Sequence, residues 1–311
     1  MKKLQLLEAD RLEITILVDN YSDLFLEGSE IIKRPIPSEW RAPLAEHGFS
    51  CLLKVYSSSE EHWVLMDAGI ASTCLLHNAE VLNVDLAKIE SVVLSHGHFD
   101  HFGGLTAFLC KAGKGVTLVL HPDAFLERRI NVPAIGLTRE MPRLNEVSLK
   151  ETGANLNKIK EASTLASGHV LVTGEVERVT GFEKGFLWAE AKLDGAWVTD
   201  PFHDDQGVVV NIRNKGLVVI GGCSHAGIIN TVKYAQKVTQ IQSVHAVLGG
   251  FHLTGRLFEP IIEPTIEEMK KIAPEFIVPM HCTGWKAINQ FAIKMPSQFL
   301  LNSVGTTYVF Q

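Results

Sequence analysis

Residues 91–104 read Ser91-Val92-Val93-Leu94-Ser95-His96-Gly97-His98-Phe99-Asp100-His101-Phe102-Gly103-Gly104. The first four form a short apolar run with the β-branched bias of a buried strand, and the chain then meets three histidines and an aspartate within six residues. Imidazole nitrogen and carboxylate oxygen are the donors that zinc, iron(II) and manganese take. One loop cannot comfortably wrap all four groups around a single ion, and their alternate spacing directs them to two neighbouring ions. His96 and His98 are expected to hold the first, and Asp100 and His101 the second, at the separation used in two-metal catalysis. Gly103 and Gly104 permit a tight backbone before a helix expected over 105–112.

Outward from this loop, Val-, Ile- and Leu-rich runs predict strands at 14–18, 50–55, 63–66, 92–94, 116–120 and 170–173. A second series follows at 197–199, 208–212, 217–220, 244–248, 276–278 and 307–310. Helical patterns lie at 105–112, 226–238 and 265–272, the last with Thr265 and Glu268 reading as a capping box and Pro274 as the stop. Two strand-rich halves with helices through both predict an α/β fold in which two sheets pack together with helices outside. The N-terminal half runs to about 121 and the C-terminal half from about 168. Between them, 122–167 is polar, contains Arg128, Arg129, Arg139 and Arg143, and reads as an insertion between the halves, either an inert surface loop, which loop statistics favour, or a lid-like excursion covering an anionic substrate.

Composition narrows the function classes. With 311 residues, 46% of them hydrophobic and 21% charged, the chain can bury a large core without a disulfide or metal staple, so a metal here is expected to serve chemistry. Twenty-nine basic against 35 acidic residues, with no basic run, disfavour a nucleic-acid partner. No window reaches the roughly 18 consecutive apolar residues that a membrane span needs. The N-terminal apolar stretch is broken by Glu8 and Asp10 before a secretory signal could form. Five cysteines without a C-x-x-C pair read as reduced thiols, which places the protein in the cytoplasm.

The segment Ser95–Gly104 resembles the HxHxDH signature of the metallo-β-lactamase superfamily. The resemblance implies an αββα four-layer sandwich of two mixed β-sheets flanked by helices, a single domain over 1–311, and a dinuclear metal site at one edge of the sheets. Asp67, in Met66-Asp67-Ala68-Gly69, resembles the family's first motif, an acidic residue that supports the metal loop. His225, in Gly221-Gly222-Cys223-Ser224-His225-Ala226-Gly227, is implied as a ligand. At this place superfamily members usually carry Gly-Asp, whose aspartate bridges both metals, whereas this chain has Gly222-Cys223. The bridging ligand is therefore unassigned, and Cys223 reads either as a further ligand or as a core thiol.

His281, in Pro279-Met280-His281-Cys282-Thr283-Gly284, resembles the family's last metal histidine. His252, in Gly249-Gly250-Phe251-His252-Leu253, shares the strand-end position and reads as a ligand, a substrate contact or a proton donor. His203, before Asp204 and Asp205, lies near the third-motif histidine, and the remaining histidines lack such context. The resulting metal set is His96, His98, Asp100, His101, His225 and His281, with Asp100 and His252 as catalytic groups and substrate contacts unassigned. The implied cofactors are two divalent ions, zinc first, with iron and manganese compatible.

Further segments, among them Asp19-Asn20, Gly48-Phe49-Ser50, Gly181-Phe182-Glu183 and Asp204-Asp205-Gln206, resemble the dihydropterin-linked synthase branch of methanopterin biosynthesis. Many members of that branch are called simply metal-dependent hydrolases. The expected function is a dinuclear hydrolase using a metal-activated water on a small, phosphorylated or otherwise anionic substrate. One alternative is a synthase joining a pterin pyrophosphate to an arylamine with water excluded. An alternative of another class is a non-catalytic ligand-binding protein, against which the complete His-x-His-x-Asp-His set argues. The oxygen-reducing di-iron members of the superfamily carry glutamate where His98 stands, which disfavours redox chemistry.

Overall fold

Strand Ser91–Val93, its two valines buried, lies within an eight-stranded sheet. The order is Asn155–Lys158, Thr117–Leu120, Ser91–Val93, Glu61–Met66, Ser50–Tyr56, Arg11–Val18, Thr307–Phe310 and Ile32–Lys33. The first four strands of that order are mutually parallel and the rest antiparallel. A seven-stranded sheet runs Ser163–Leu165, Val170–Val172, Val208–Ile212, Gly216–Gly221, Val244–Gly250 and Phe276–Met280, with Glu8–Ala9 parallel against Val208–Ile212. The computed structural model describes residues 4–36, 41–58, 60–113 and 115–311.

The apolar runs are continuous because these strands are covered on both faces. Ile14, Leu53, Val64 and Val93 of one sheet share a core with Val170, Val210, Val218 and Leu248 of the other. On its other face the first sheet packs against Leu75 and Phe108, from helices Ser72–Val81 and Leu105–Ala112. The second sheet packs against helices Ile228–Thr239, Ile262–Ile272 and Trp285–Lys294 through Val232, Ile266 and Phe291. The layers are therefore helix, sheet, sheet, helix.

Register fixes what the strand ends present. Met66 pairs with Val93, so the chain leaves the sheet side by side at Asp67 and at the His96 loop. Gly221 pairs with Gly249 and Gly249 with Pro279, so Cys223, His252 and His281 leave three adjacent parallel strands at one edge. In sheets with parallel strands, ligand sites form at such carboxyl ends.

Three local expectations differ from the structure. Helix Ile262–Ile272 starts ahead of the proposed capping box, and Thr265 lies within it, its hydroxyl donating to the Ile261 carbonyl at 2.8 Å. The 3₁₀ turn Glu259–Ile261 feeds that helix directly, and Pro264 falls in the first turn, where amides have no intrahelical acceptor. Helix Ser72–Val81 escapes the periodicity because its buried side includes Asn78, whose amide holds the Leu17 and Leu44 carbonyls.

The third difference concerns 122–167, which is not one surface insertion. Asn155–Lys158 and Ser163–Leu165 are edge strands of the two main sheets. Arg128–Val132 and Leu137–Glu140 join Ala189–Leu193 and Ala196–Thr199 in a separate four-stranded sheet. Its arginines are not free to cover an anion as a group. Arg128 is buried against Asp200 and Asp204, both at 2.7 Å, while Arg129 pairs with Glu190 at 2.6 Å and Arg143 with Glu127 at 3.3 Å.

Candidate metal centre

Asp67 ends its strand with a left-handed φ of 59° and turns its carboxylate under the histidine loop. One oxygen accepts from the Ser95 amide at 2.7 Å. The other accepts from the Ser95 hydroxyl at 2.7 Å and faces His101 Nδ1 at 2.6 Å. This leaves His101 Nε2 to point across the edge, where Cys223 Sγ lies at 3.1 Å. Such an approach requires glycine at position 222, where a Cβ would overlap the Ser95 hydroxyl. Gly97 is similarly confined by the Ala124 carbonyl and Arg128, and its amide donates to Asp204 at 2.8 Å.

His96, His98 and His225 form one cluster, with ring centroids 4.6 to 4.8 Å apart. His96 Nε2, His98 Nε2 and both ring nitrogens of His225 are buried without a hydrogen-bond partner. Burial and neighbouring positive charge pull the His98 pKa down to about 3. Burial first, then the adjacent imidazoles, hold His96 and His225 well below the ordinary range. All three rings are thus neutral with free lone pairs. An unpaired buried polar atom is costly, and several packed together fit a cation; donor atoms of His96 and His225 lie within 4.8 Å of one another and of Cys223 Sγ, a group that does not include His98. Phe202 stacks on His225 at 4.3 Å and 13°.

Asp100, His101, Cys223 and His281 form a second cluster, all four buried, with donor atoms within 4.8 Å of one another. Asp100 Oδ2 lies 3.4 Å from His281 Nε2 and 3.8 Å from His101 Nε2. Burial opposes the Asp100 charge, but the surrounding imidazoles outweigh it and hold the carboxyl well below the usual carboxylate range. Burial likewise opposes charge on His101, and the carboxylates of Asp67 and Asp100 reverse that, pushing its pKa up to about 9. His281 is held from behind: its amide donates to Asp19 at 2.8 Å and its Nδ1 lies 3.3 Å from the Asn20 side-chain oxygen.

His252 stands beside the first cluster, its ring 4.3 Å from that of His225 and its Nδ1 buried without a partner. It also groups with Cys223 and Cys282. A cleft of about 370 Å³ opens here, lined by Phe182, His225, Phe251, His252, Leu253 and Phe258. Phe202, Ser224, His252 and His281 all hold left-handed φ between 44° and 56°, backbone strain of the kind that accumulates at functional sites.

The structure thus brings together Asp67, His96, His98, Asp100, His101, Cys223, His225, His252 and His281. His203 is not among them, being exposed with its ring 3.3 Å from Asp123. His47 and Cys282 were missed from sequence. His47 Nε2 lies 3.4 Å from Asp100 Oδ2, and its only signal is the Gly48-Phe49-Ser50 segment that follows it. For Cys282 the signal is adjacency to His281.

Residues 49–180 match the family model described as the metallo-beta-lactamase superfamily. The solved structure of Tm1679, titled a metal-dependent hydrolase of the beta-lactamase superfamily, superposes with a TM-score of 0.72 at 24% identity, covering 96% of this chain and 98% of that one. The chain belongs to the metallo-β-lactamase superfamily. Within it, the chain is 32% identical over 258 residues to the 7,8-dihydropterin-6-methyl-4-(beta-D-ribofuranosyl)-aminobenzene-5'-phosphate synthase of Methanocaldococcus jannaschii, spanning 82% of this chain and 87% of the relative. It is 33% identical over 261 residues to MJ0448 of the same organism, spanning 84% and 92% respectively. Among the described residues, no helix is long and apolar enough to cross a membrane.

Proposed function

We propose that the protein is a dinuclear metal-dependent hydrolase acting on a small, phosphorylated or otherwise anionic substrate. The observation that carries this reading is the set of buried imidazole nitrogens without partners, converging beside an open cleft. His96, His98 and His225 would hold one divalent ion and Asp100, His101 and His281 the other, with zinc the first choice and iron(II) or manganese compatible. Such ions, when bound, supply Lewis acidity and a nucleophilic water at neutral pH.

The protein's own groups set the geometry. Asp67 and Asn20 fix which ring nitrogen of His101 and His281 faces inward. Phe251, Leu253 and Phe258 form an apolar wall that sheds water from the bound substrate, and Lys184 at the cleft supplies a positive charge for its anionic part. His252, between the cleft and His225, is placed to hand a proton to a leaving group. The free cysteines suit a reducing cytoplasm.

A second reading, a synthase joining a pterin pyrophosphate to an arylamine, is favoured by the name of the 32%-identical relative and by the aromatic cleft wall. Anaerobic metal analysis paired with phosphodiester, phosphomonoester, lactone and pterin-pyrophosphate assays separates these readings. Two ions with ester or lactone turnover support the hydrolase, and turnover only with the pterin and an arylamine supports the synthase. Fewer than two ions, without turnover, would leave a ligand-binding protein.

A further inference from the structure

We propose that Cys223 is a shared ligand of the two ions, its sulfur occupying the bridging position between the histidine clusters. The proposal rests on the dinuclear reading above and concerns what joins the two halves of that site.

Strand Gly216–Gly221 ends in a tight turn that is pinned on both sides. The Ser224 hydroxyl donates to the Gly250 carbonyl at 2.8 Å, and the Ala226 amide donates to Asp205 at 2.9 Å. Ser224 takes a left-handed φ of 56° to make the turn. The result places Cys223 Sγ between the clusters, 3.1 Å from His101 Nε2 and 3.4 Å from His281 Nε2, with the residue 3% exposed. The same sulfur lies within 4.8 Å of donor atoms of His96 and His225. Among the described residues it is the one donor common to the group containing Asp100, His101 and His281 and the group containing His96 and His225.

Among the described residues no carboxylate fills that role. Asp100 falls only in the group with His101 and His281. Asp204 is committed to the Gly97 amide and to Arg128, and Asp205, one oxygen of which accepts the Ala226 amide while the other is unpartnered, falls in none of the metal-capable groups. A coordinated thiol is deprotonated, and the thiolate keeps enough lone pairs to serve two cations at once. With Asp100 it would supply two negative charges to the two divalent ions, where Asp100 alone supplies one. A soft sulfur at the centre also moves the metal preference towards zinc and iron(II) and away from magnesium and calcium. Cys282, whose Sγ lies 3.6 Å from the Cys223 carbonyl, groups with His252 and shares no group with His96, His101, His225 or His281.

The test is anaerobic cobalt(II) titration of the full chain, reading bound metal per chain and the near-ultraviolet sulfur-to-cobalt charge-transfer absorption. The wild type is expected to bind two ions, with absorption growing over both equivalents. Cys223→Ser should lose the absorption and bind both ions at least about tenfold more weakly. Cys223→Asp should lack the absorption yet keep both ions, and Cys282→Ser should keep both features. Cys223→Asp also decides the case if the serine variant does not fold. Two cobalt ions without charge transfer, absorption confined to one equivalent, or absorption that survives in Cys223→Asp and disappears in Cys282→Ser would each overturn the shared sulfur. Fewer than two ions in the wild type would overturn the dinuclear reading itself.

Discussion

Asp67 Oδ2 lies 2.6 Å from Nδ1 of His101, and neither side chain is accessible to solvent. Thirty-four residues separate the two in sequence, and the parallel pairing of Glu61–Met66 with Ser91–Val93 closes that distance. The contact orients the His101 ring so that Nε2 faces inward. A buried carboxylate behind a ligating histidine raises its donor strength and holds its ring in place.

Asp67→Ala is therefore expected to weaken one ion site about ten- to a hundredfold and to spare the other. Competition with a chromophoric chelator measures both steps. Unchanged affinity at both sites would remove Asp67 from the site's support.

His98 and His121 form a matched pair for separating metal binding from stability. His98→Ala should lose most bound metal and activity. His121 is buried, but its Nε2 meets Glu175 at 3.0 Å and its Nδ1 accepts from the Asp123 amide at 3.0 Å, away from the cluster. His121→Ala should keep its metal while losing about 1 to 3 kcal/mol of stability. Equal metal loss in both variants, by elemental analysis, would refute the assignment.

The chain from Asp200 through Arg128 and Asp204 to the Gly97 amide anchors the metal loop with buried charges. Removing one partner of a buried ion pair leaves an uncompensated charge. Arg128→Ala, which leaves Asp200 and Asp204 together without their cation, should cost about 3 to 5 kcal/mol in urea unfolding of metal-free protein. A loss within a few tenths of a kcal/mol would show that the network carries little of the loop's anchoring.

Glu183 gives a pH-dependent prediction. Its carboxylate accepts the Ile229 and Asn230 amides, both at 2.9 Å, at the start of the helix that follows His225. Burial outweighs these bonds and raises its pKa from 4.5 to about 6. The folded state then holds the proton more tightly than the unfolded chain, so its stabilising contribution is complete below about pH 4.5 and is lost as pH rises through about 6. Relative to Glu183→Gln, the wild type should lose about 2 kcal/mol across that window, a difference that denaturant curves at several pH values resolve. A constant gap between the two proteins would contradict the raised value.

What could be read directly from the chain was what is local in it. Apolar runs such as 208–212 are strands because their own side chains demand burial, and Val208–Ile212 forms as expected. The loop of His96, His98, Asp100 and His101 was legible because all four donors fall within six residues after a strand. His225, His252 and His281 were legible as strand-end positions, while their convergence depended on the pairing of Gly221, Gly249 and Pro279.

Tertiary structure decided everything defined by a partner far away in sequence. Cys223 could be read as a core thiol or a ligand, and the choice turns on His101, 122 residues earlier, and His281, 58 residues later. Arg128 read as a substrate-covering cation because Asp200 and Asp204, 72 and 76 residues on, were not visible as its partners. His47 had no motif to mark it, and only folding sets it against Asp100. A sequence dictates local conformation and burial preference through short-range sterics and hydrophobicity. Which charges and donors meet is set by how the sheets align, and that is a property of the packed chain as a whole.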